Sequence, residues 1–177
     1  MARLAYLLTA GLVGAALLHI VIVLSVPRFA DRDAWAGVNA LGAAHRFHTL
    51  QNGATDGLAS ANPLARAVVC RFDIAENPVR ITAFERPFFW SLAIFDTASN
   101  EIDSMNDRTA GQAVPDVVLA TPSQAHIVRQ TLPDAVLIAV SETVGYAVLR
   151  TVLPDASWQR IADSFLGGAL CQPIASS

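Results

Sequence analysis

Four carboxylates, Asp96, Glu101, Asp103 and Asp107, fall within one short stretch of the chain. Carboxylates that close in sequence can hold a hard cation or divide the roles of acid and base. The spacing does not fit a calcium loop, because Thr97, Ala98 and Ser99 follow Asp96 and no glycine stands where the sharp turn would need one. His45 and His48 are three residues apart. On a helix that spacing can turn two imidazoles toward one metal, with His126 or Glu142 as a third ligand only if the fold brings either close. Solvated histidines explain the pair without a ligand set, so no metal is expected. The serines Ser91, Ser123 and Ser141 lack the G-x-S-x-G setting of a nucleophile, and neither a phosphate loop nor a dinucleotide fingerprint occurs, so no cofactor is expected. If the chain were a hydrolase, Asp96, Asp103 and His126 would be the residues for acid, base or metal contact, and their convergence in one pocket would decide it. Cys70 and Cys171 belong to no C-x-x-C pair. They read as a structural disulfide in an oxidising compartment, the alternative being two separate buried thiols.

These residues are carried by a chain of 177, with 53% hydrophobic and 15% charged residues and a net charge of −3. All 12 positive side chains are arginine and they are scattered, which argues against a nucleic-acid binder. The apolar excess has one main source, the 23 residues from Leu4 to Val26, which contain no Asp, Glu, Lys or Arg. About 20 apolar residues cross a bilayer core as a helix. A cleaved signal peptide has an apolar core of about 7–15 residues and small residues at the cleavage site, and the stretch from Ser25 to Ala30 lacks small residues at both positions. The segment is therefore expected to stay as an anchor. His19 within it reads as a neutral ring bonded near the interface, and Gly11, Gly14, Ala15 and Leu18 form at most a weak packing face without a GxxxG. Arg3 lies on one side and Arg28, Arg32 and Arg46 on the other, so an arginine count does not choose the direction. The cysteines favour the amino terminus inside and the domain outside.

The organisation expected from pattern is a head at 1–3, a transmembrane anchor at 4–26, a juxtamembrane helix and loop at 27–63 and a β-rich domain at 64–177. Trp35, Val38, Leu41 and the Ala44/His45 pair recur at helical spacing and predict an amphipathic helix over Asp31 to Gln51. Asn52 to Pro63 has the composition of a loop. Strands are predicted at Ala67–Asp73, Val79–Phe84, Phe88–Asp96, Asn100–Asn106, Val117–Thr121, Ala135–Ser141 and Tyr146–Leu153, spaced as antiparallel hairpins. Glu76-Asn77-Pro78 and Glu142-Thr143-Val144-Gly145 supply reversals. Trp158, Ile161, Ala162, Phe165, Leu166 and Ala169 place one apolar face on a last helix, capped by Asp155 or Ser157, that should lie across the sheet. The fold class is α+β, an N-terminal transmembrane helix followed by a mainly antiparallel β domain with a C-terminal amphipathic helix.

The run Phe88-Phe89-Trp90-Ser91-Leu92-Ala93-Ile94-Phe95-Asp96, then Asn100, then Asn106-Asp107-Arg108-Thr109-Ala110-Gly111, and later Val148-Leu149-Arg150-Thr151-Val152, resembles the bacterial family catalogued as domain of unknown function 1254. The likeness covers about Ala65 to Cys171. It implies a β-rich fold, singles out Asp96, Asn100, Arg108 and Arg150 as structural or binding candidates, and implies a companion module that many relatives carry downstream or as a separate protein. With it, an ion pair between Asp96 and Arg108 that fixes a hairpin becomes the leading reading of those two residues. The whole then reads as a single-pass protein of the bacterial inner membrane, its domain periplasmic, acting as an interaction or ligand-binding module. Its expected partners are the membrane and a companion envelope protein. Charged residues number 26 among the 151 after Val26, about 17% against about 25% in soluble proteins, so an exposed apolar patch is expected as the interface.

Overall fold

The structure, a computed structural model, describes residues 2–50 and 64–174, with the backbone alone for residues 26–33. Helix α1 runs from Ala2 to Ala40. Its portion Ala2–Ser25 is long and apolar enough to cross a membrane by length and composition, and none of it is buried. Pro27 removes one helical hydrogen bond but does not end the helix. The separate amphipathic helix expected over Asp31 to Gln51 is therefore not formed. Its first part is the end of α1, and its last part is a short strand, β1 (Phe47–Thr49). The change of conformation is made by Gly42 and His45, whose φ angles of 138° and 60° leave the helical region. The expected loop Asn52 to Pro63 lies outside the described residues apart from its surroundings.

The remaining elements are β2 (Ala65–Asp73), β3 (Val79–Thr82), β4 (Trp90–Asp96), β5 (Glu101–Asn106), β6 (Asp116–Ala120), α2 (Ala125–Thr131), β7 (Val136–Ala139), β8 (Val144–Val152), α3 (Gln159–Gly167) and β9 (Leu170–Pro173). They form two sheets, with strand orders β1-β2-β8-β4-β5 and β7-β6-β3-β9. Pairing is antiparallel except between β6 and β7, which run parallel with α2 as the crossover. The chain is thus α+β with a mostly antiparallel β domain, as its pattern predicts, while the parallel pair and its helix correct the all-hairpin expectation. Sequence neighbours β2 and β3 do not pair, because the short reversal through Pro78 passes the chain from one sheet to the other.

Alternation along the strands explains the layers. Leu92 and Ile94 on β4 and Ala147 and Leu149 on β8 turn inward from the first sheet, and Ile81, Val117 and Leu119 meet them from the second. Trp90, Phe72 and Phe165 are completely buried in this core. The opposite face of the first sheet receives the last turns of α1. Val38 is buried against Ala67, Val69, Tyr146 and Val148, Trp35 lies 6.2 Å from the Tyr146 ring, and Arg71 Nη1 donates to Asn39 Oδ1 at 3.0 Å. The outer face of the second sheet is covered in part by α2 through Val128.

Helix α3 buries Ala162, Phe165 and Leu166 toward β2 and β8. A 3-10 turn, Ala156–Trp158, precedes it and is capped by Asp155, whose carboxylate accepts from Ser157 N at 2.8 Å. Hydrogen bonds from the Ser157 hydroxyl and amide hold the Asp155 carboxyl below its ordinary pKa. Cys70 and Cys171 form a disulfide with Cα atoms 6.5 Å apart. Cys171 stands just after α3, on β9, so the bond joins the two sheets.

Candidate interaction surface

Most residues singled out by type serve the turns that carry them. Asp96 ends β4, and its Oδ1 accepts from Ala98 N and Asn100 N, each at 2.8 Å, while Oδ2 accepts from Asn100 Nδ2 at 2.8 Å. Ser99, at φ 61°, completes the reversal. Asp96 and Asn100 are therefore brought together as a hairpin clamp. The expected Asp96–Arg108 ion pair is not made. Asp96 sits at the β4–β5 tip, whereas Arg108 follows the far end of β5, where Asn106 pairs with Ser91. Arg108 instead uses its backbone amide, which donates to Asn106 Oδ1 at 2.9 Å, beside the Thr109 amide at 3.0 Å. Arg150 lies exposed on β8 between Ala67 and Ser91. Among the described residues the ion pair is Arg80–Asp116, two-pronged at 2.8 Å and partly solvent-exposed, so its contribution to stability is small.

Replacing Asp96 by alanine is expected to cost about 1–2 kcal/mol, since three exposed or half-exposed hydrogen bonds lose their acceptor. Urea unfolding measures it. An unchanged midpoint would show that the turn does not depend on the carboxylate.

The histidine pair is not a ligand pair. His45 Nε2 lies 2.9 Å from Asp73 O and 3.1 Å from Asp73 N, and His48 Nε2 lies 2.9 Å from Ala43 O, so each ring engages backbone. No group of three His, Cys, Asp or Glu among the described residues is placed to hold a metal ion. His126 stands on α2 over the second sheet and meets Gln130, while Asp96 and Asp103 belong to β4 and β5 of the first. His126 thus stands in a different layer from the other two residues of the hydrolase alternative, Asp96 and Asp103.

What pattern did not indicate is the flank where β1, the edge of one sheet, comes beside β9, the edge of the other. A cleft of about 450 Å³ opens there, lined by Arg46, Phe47 and Thr49 on one side and Leu166, Ala169 and Cys171 on the other. Leu170 and Gln172 of β9 also line a neighbouring groove of about 390 Å³ on the outer face of the second sheet. Phe84, Pro173 and Ile174 complete its apolar wall, with Arg80 at one side. Phe84 is 75% exposed and Leu170 38%. Helix α2 is only seven residues long and covers the β6 side of this face, which leaves the β3–β9 side open. Exposure of Phe84 was not legible from the chain, since an aromatic residue after an apolar strand reads as core.

No protein-family model and no curated protein matches the chain. Solved structures do. The VPA0106 protein from Vibrio parahaemolyticus is similar over 85% of this chain, at 13% identity and a TM-score of 0.59. An uncharacterised protein from Burkholderia cenocepacia is similar over 81%, at 10% identity and a TM-score of 0.52. At such identities the likeness is one of fold, and the chain spans less than two-fifths of either neighbour, 37% and 38% of their lengths.

Proposed function

We propose that the chain is a membrane-anchored interaction module of the bacterial cell envelope, related to the domain of unknown function 1254 family, with no catalysis of its own. The observation that carries this reading is the continuity of α1. Its portion Ala2–Ser25 is long and apolar enough to span a bilayer and none of it is buried, while its last turns are built into the domain through Val38, Trp35 and Asn39. An apolar helix of that length left in water would be strongly unfavourable, and a bilayer removes the penalty. Because the same helix ends inside the domain, the anchor holds the domain near the membrane without a slack tether. The disulfide between the sheets supports an oxidising compartment, hence a periplasmic domain and a cytoplasmic amino terminus. The groove with Phe84 and Leu170 supports a protein partner, a companion envelope protein of the kind the family resemblance implies.

Topology is tested by fusions. Alkaline phosphatase joined after Ser177 should be active and a fluorescent reporter that matures only in the cytoplasm should stay dark. The reverse pattern, or a mature protein beginning near Ala30, would overturn the anchored arrangement. For the partner, purification from native membranes in mild detergent should retain an envelope protein that the Phe84→Ser, Leu170→Ser double variant loses.

A further inference from the structure

The flank between the two sheets carries more than an apolar wall. In the β1–β2 ladder, Leu50 N donates to Ala67 O, which makes Leu50–Ala67 and His48–Val69 the mutually bonded pairs. The amides and carbonyls of Phe47 and Thr49 therefore turn away from β2, toward the open side of the sheet. On β9, Ile174 N donates to Pro78 O, and the same alternation turns the Cys171 amide and carbonyl outward. Among the described residues, two sheet edges thus present unused main-chain donors and acceptors on one flank, with the cleft between them. Such an edge is a template for another strand.

The side chains state what kind of strand. Among the described residues, the guanidinium of Arg46, which is exposed next to Phe47, has no hydrogen bond or ion pair, and no carboxylate lines the cleft. Leu166 and Ala169 give the inner wall a small apolar surface. We propose that β1 accepts an extended acidic segment of a protein partner as an added strand, apolar residues turned in toward Leu166 and Ala169 and an acidic residue set against Arg46. Main-chain bonds to Phe47 and Thr49 supply the pairing, alternate side chains meet the cleft, and the free arginine selects charge. The strand is short, so Arg46 and the inner wall carry the discrimination. The inference deepens the interaction reading and rests on it.

The test uses the full chain in lipid nanodiscs and three fluorescein-labelled heptapeptides, read by anisotropy against empty nanodiscs. One is Thr-Val-Glu-Val-Glu-Val-Thr, the second has Lys for Glu, and the third is the acidic peptide N-methylated at alternate residues. The acidic peptide should saturate at least tenfold below the lysine peptide, the methylated one should not bind, and Arg46→Glu should reverse the charge preference. Thr49→Pro removes only an outward amide, so the chain should keep its melting temperature within a few degrees and lose binding at least tenfold. No saturable binding of the acidic peptide to the wild-type chain overturns the proposal. So does binding that survives N-methylation, or that a folded Thr49→Pro chain retains. Loss of partner co-purification in a Phe84→Ser single variant, at a residue that lines the groove and not the cleft, reads the groove instead, so a failure there and a failure of strand addition are told apart.

Discussion

Replacing both Cys70 and Cys171 by alanine should lower stability by about 4–5 kcal/mol, since the bond closes a loop whose ends are 101 positions apart and loops of about 100 residues gain that much in the chain-entropy model. The bond also sets the sheets against each other at the flank that holds the cleft, from β2 in one sheet to β9 in the other. Cys70 is 0% and Cys171 1% exposed, so a reductant reaches them only when the fold opens. Two measurements check this. Guanidinium unfolding of the double variant should show a lower midpoint and a steeper slope, as the unfolded chain expands without its cross-link. Dithiothreitol should leave the native chain oxidised for hours and reduce it quickly in denaturant. Two free thiols in protein purified from the envelope would remove both the bond and the argument for an oxidising compartment.

Gly145→Ala should be the most damaging substitution of a small residue by the next larger one. Gly145 lies within β8, between Phe72 of β2 and Asp96 of β4 in the pairing. A Cβ there would stand 2.2 Å from the Phe95 carbonyl oxygen and 2.7 Å from Phe72 Cζ. A backbone carbonyl in a central ladder cannot yield as a flexible side chain would. In an unconstrained site alanine would stabilise by limiting the unfolded chain, about 0.4–1 kcal/mol, so the steric term decides the sign. The expected loss is about 3 kcal/mol or more, a fall of roughly 10 °C in Tm for a domain of this size. Differential scanning calorimetry beside Gly167→Ala checks it, because a Cβ on Gly167 meets nothing within 4 Å. Equal melting temperatures for the two variants would refute the close approach.

Gly145 also shows where pattern reading stopped. In the chain it stands among turn residues and reads as a reversal, but Val144–Val152 is one strand and the glycine is there for want of room. The seven strands that stand as short runs between turn residues were legible, β4 above all, whose inner residues Trp90, Leu92 and Ile94 are completely buried. Strands β1 and β9, of three and four residues, were not, because so short a segment carries no period of its own and is held by partners far along the chain. Helix α2 escaped for a similar reason, with only Ala125 and Val128 buried in seven residues.

The candidate site divides in the same way. Asp96 and Asn100 are four residues apart, and their clamp is a local matter of turn chemistry. Asp96 and Arg108 were paired on a likeness of motifs, and the β4–β5 register separates them by the length of a strand. From the sequence alone came an apolar segment long enough to span a bilayer, an α+β fold class, and two cysteines without a metal or redox motif. Tertiary structure decided that the strands divide into two sheets, that the disulfide crosses between them, and that β1 and β9 leave their edges facing one cleft. The physical reason is range: burial periodicity is a property of one segment and is written in it, whereas strand partnership is settled by many weak contacts between residues far apart in the chain, none of which any one segment encodes.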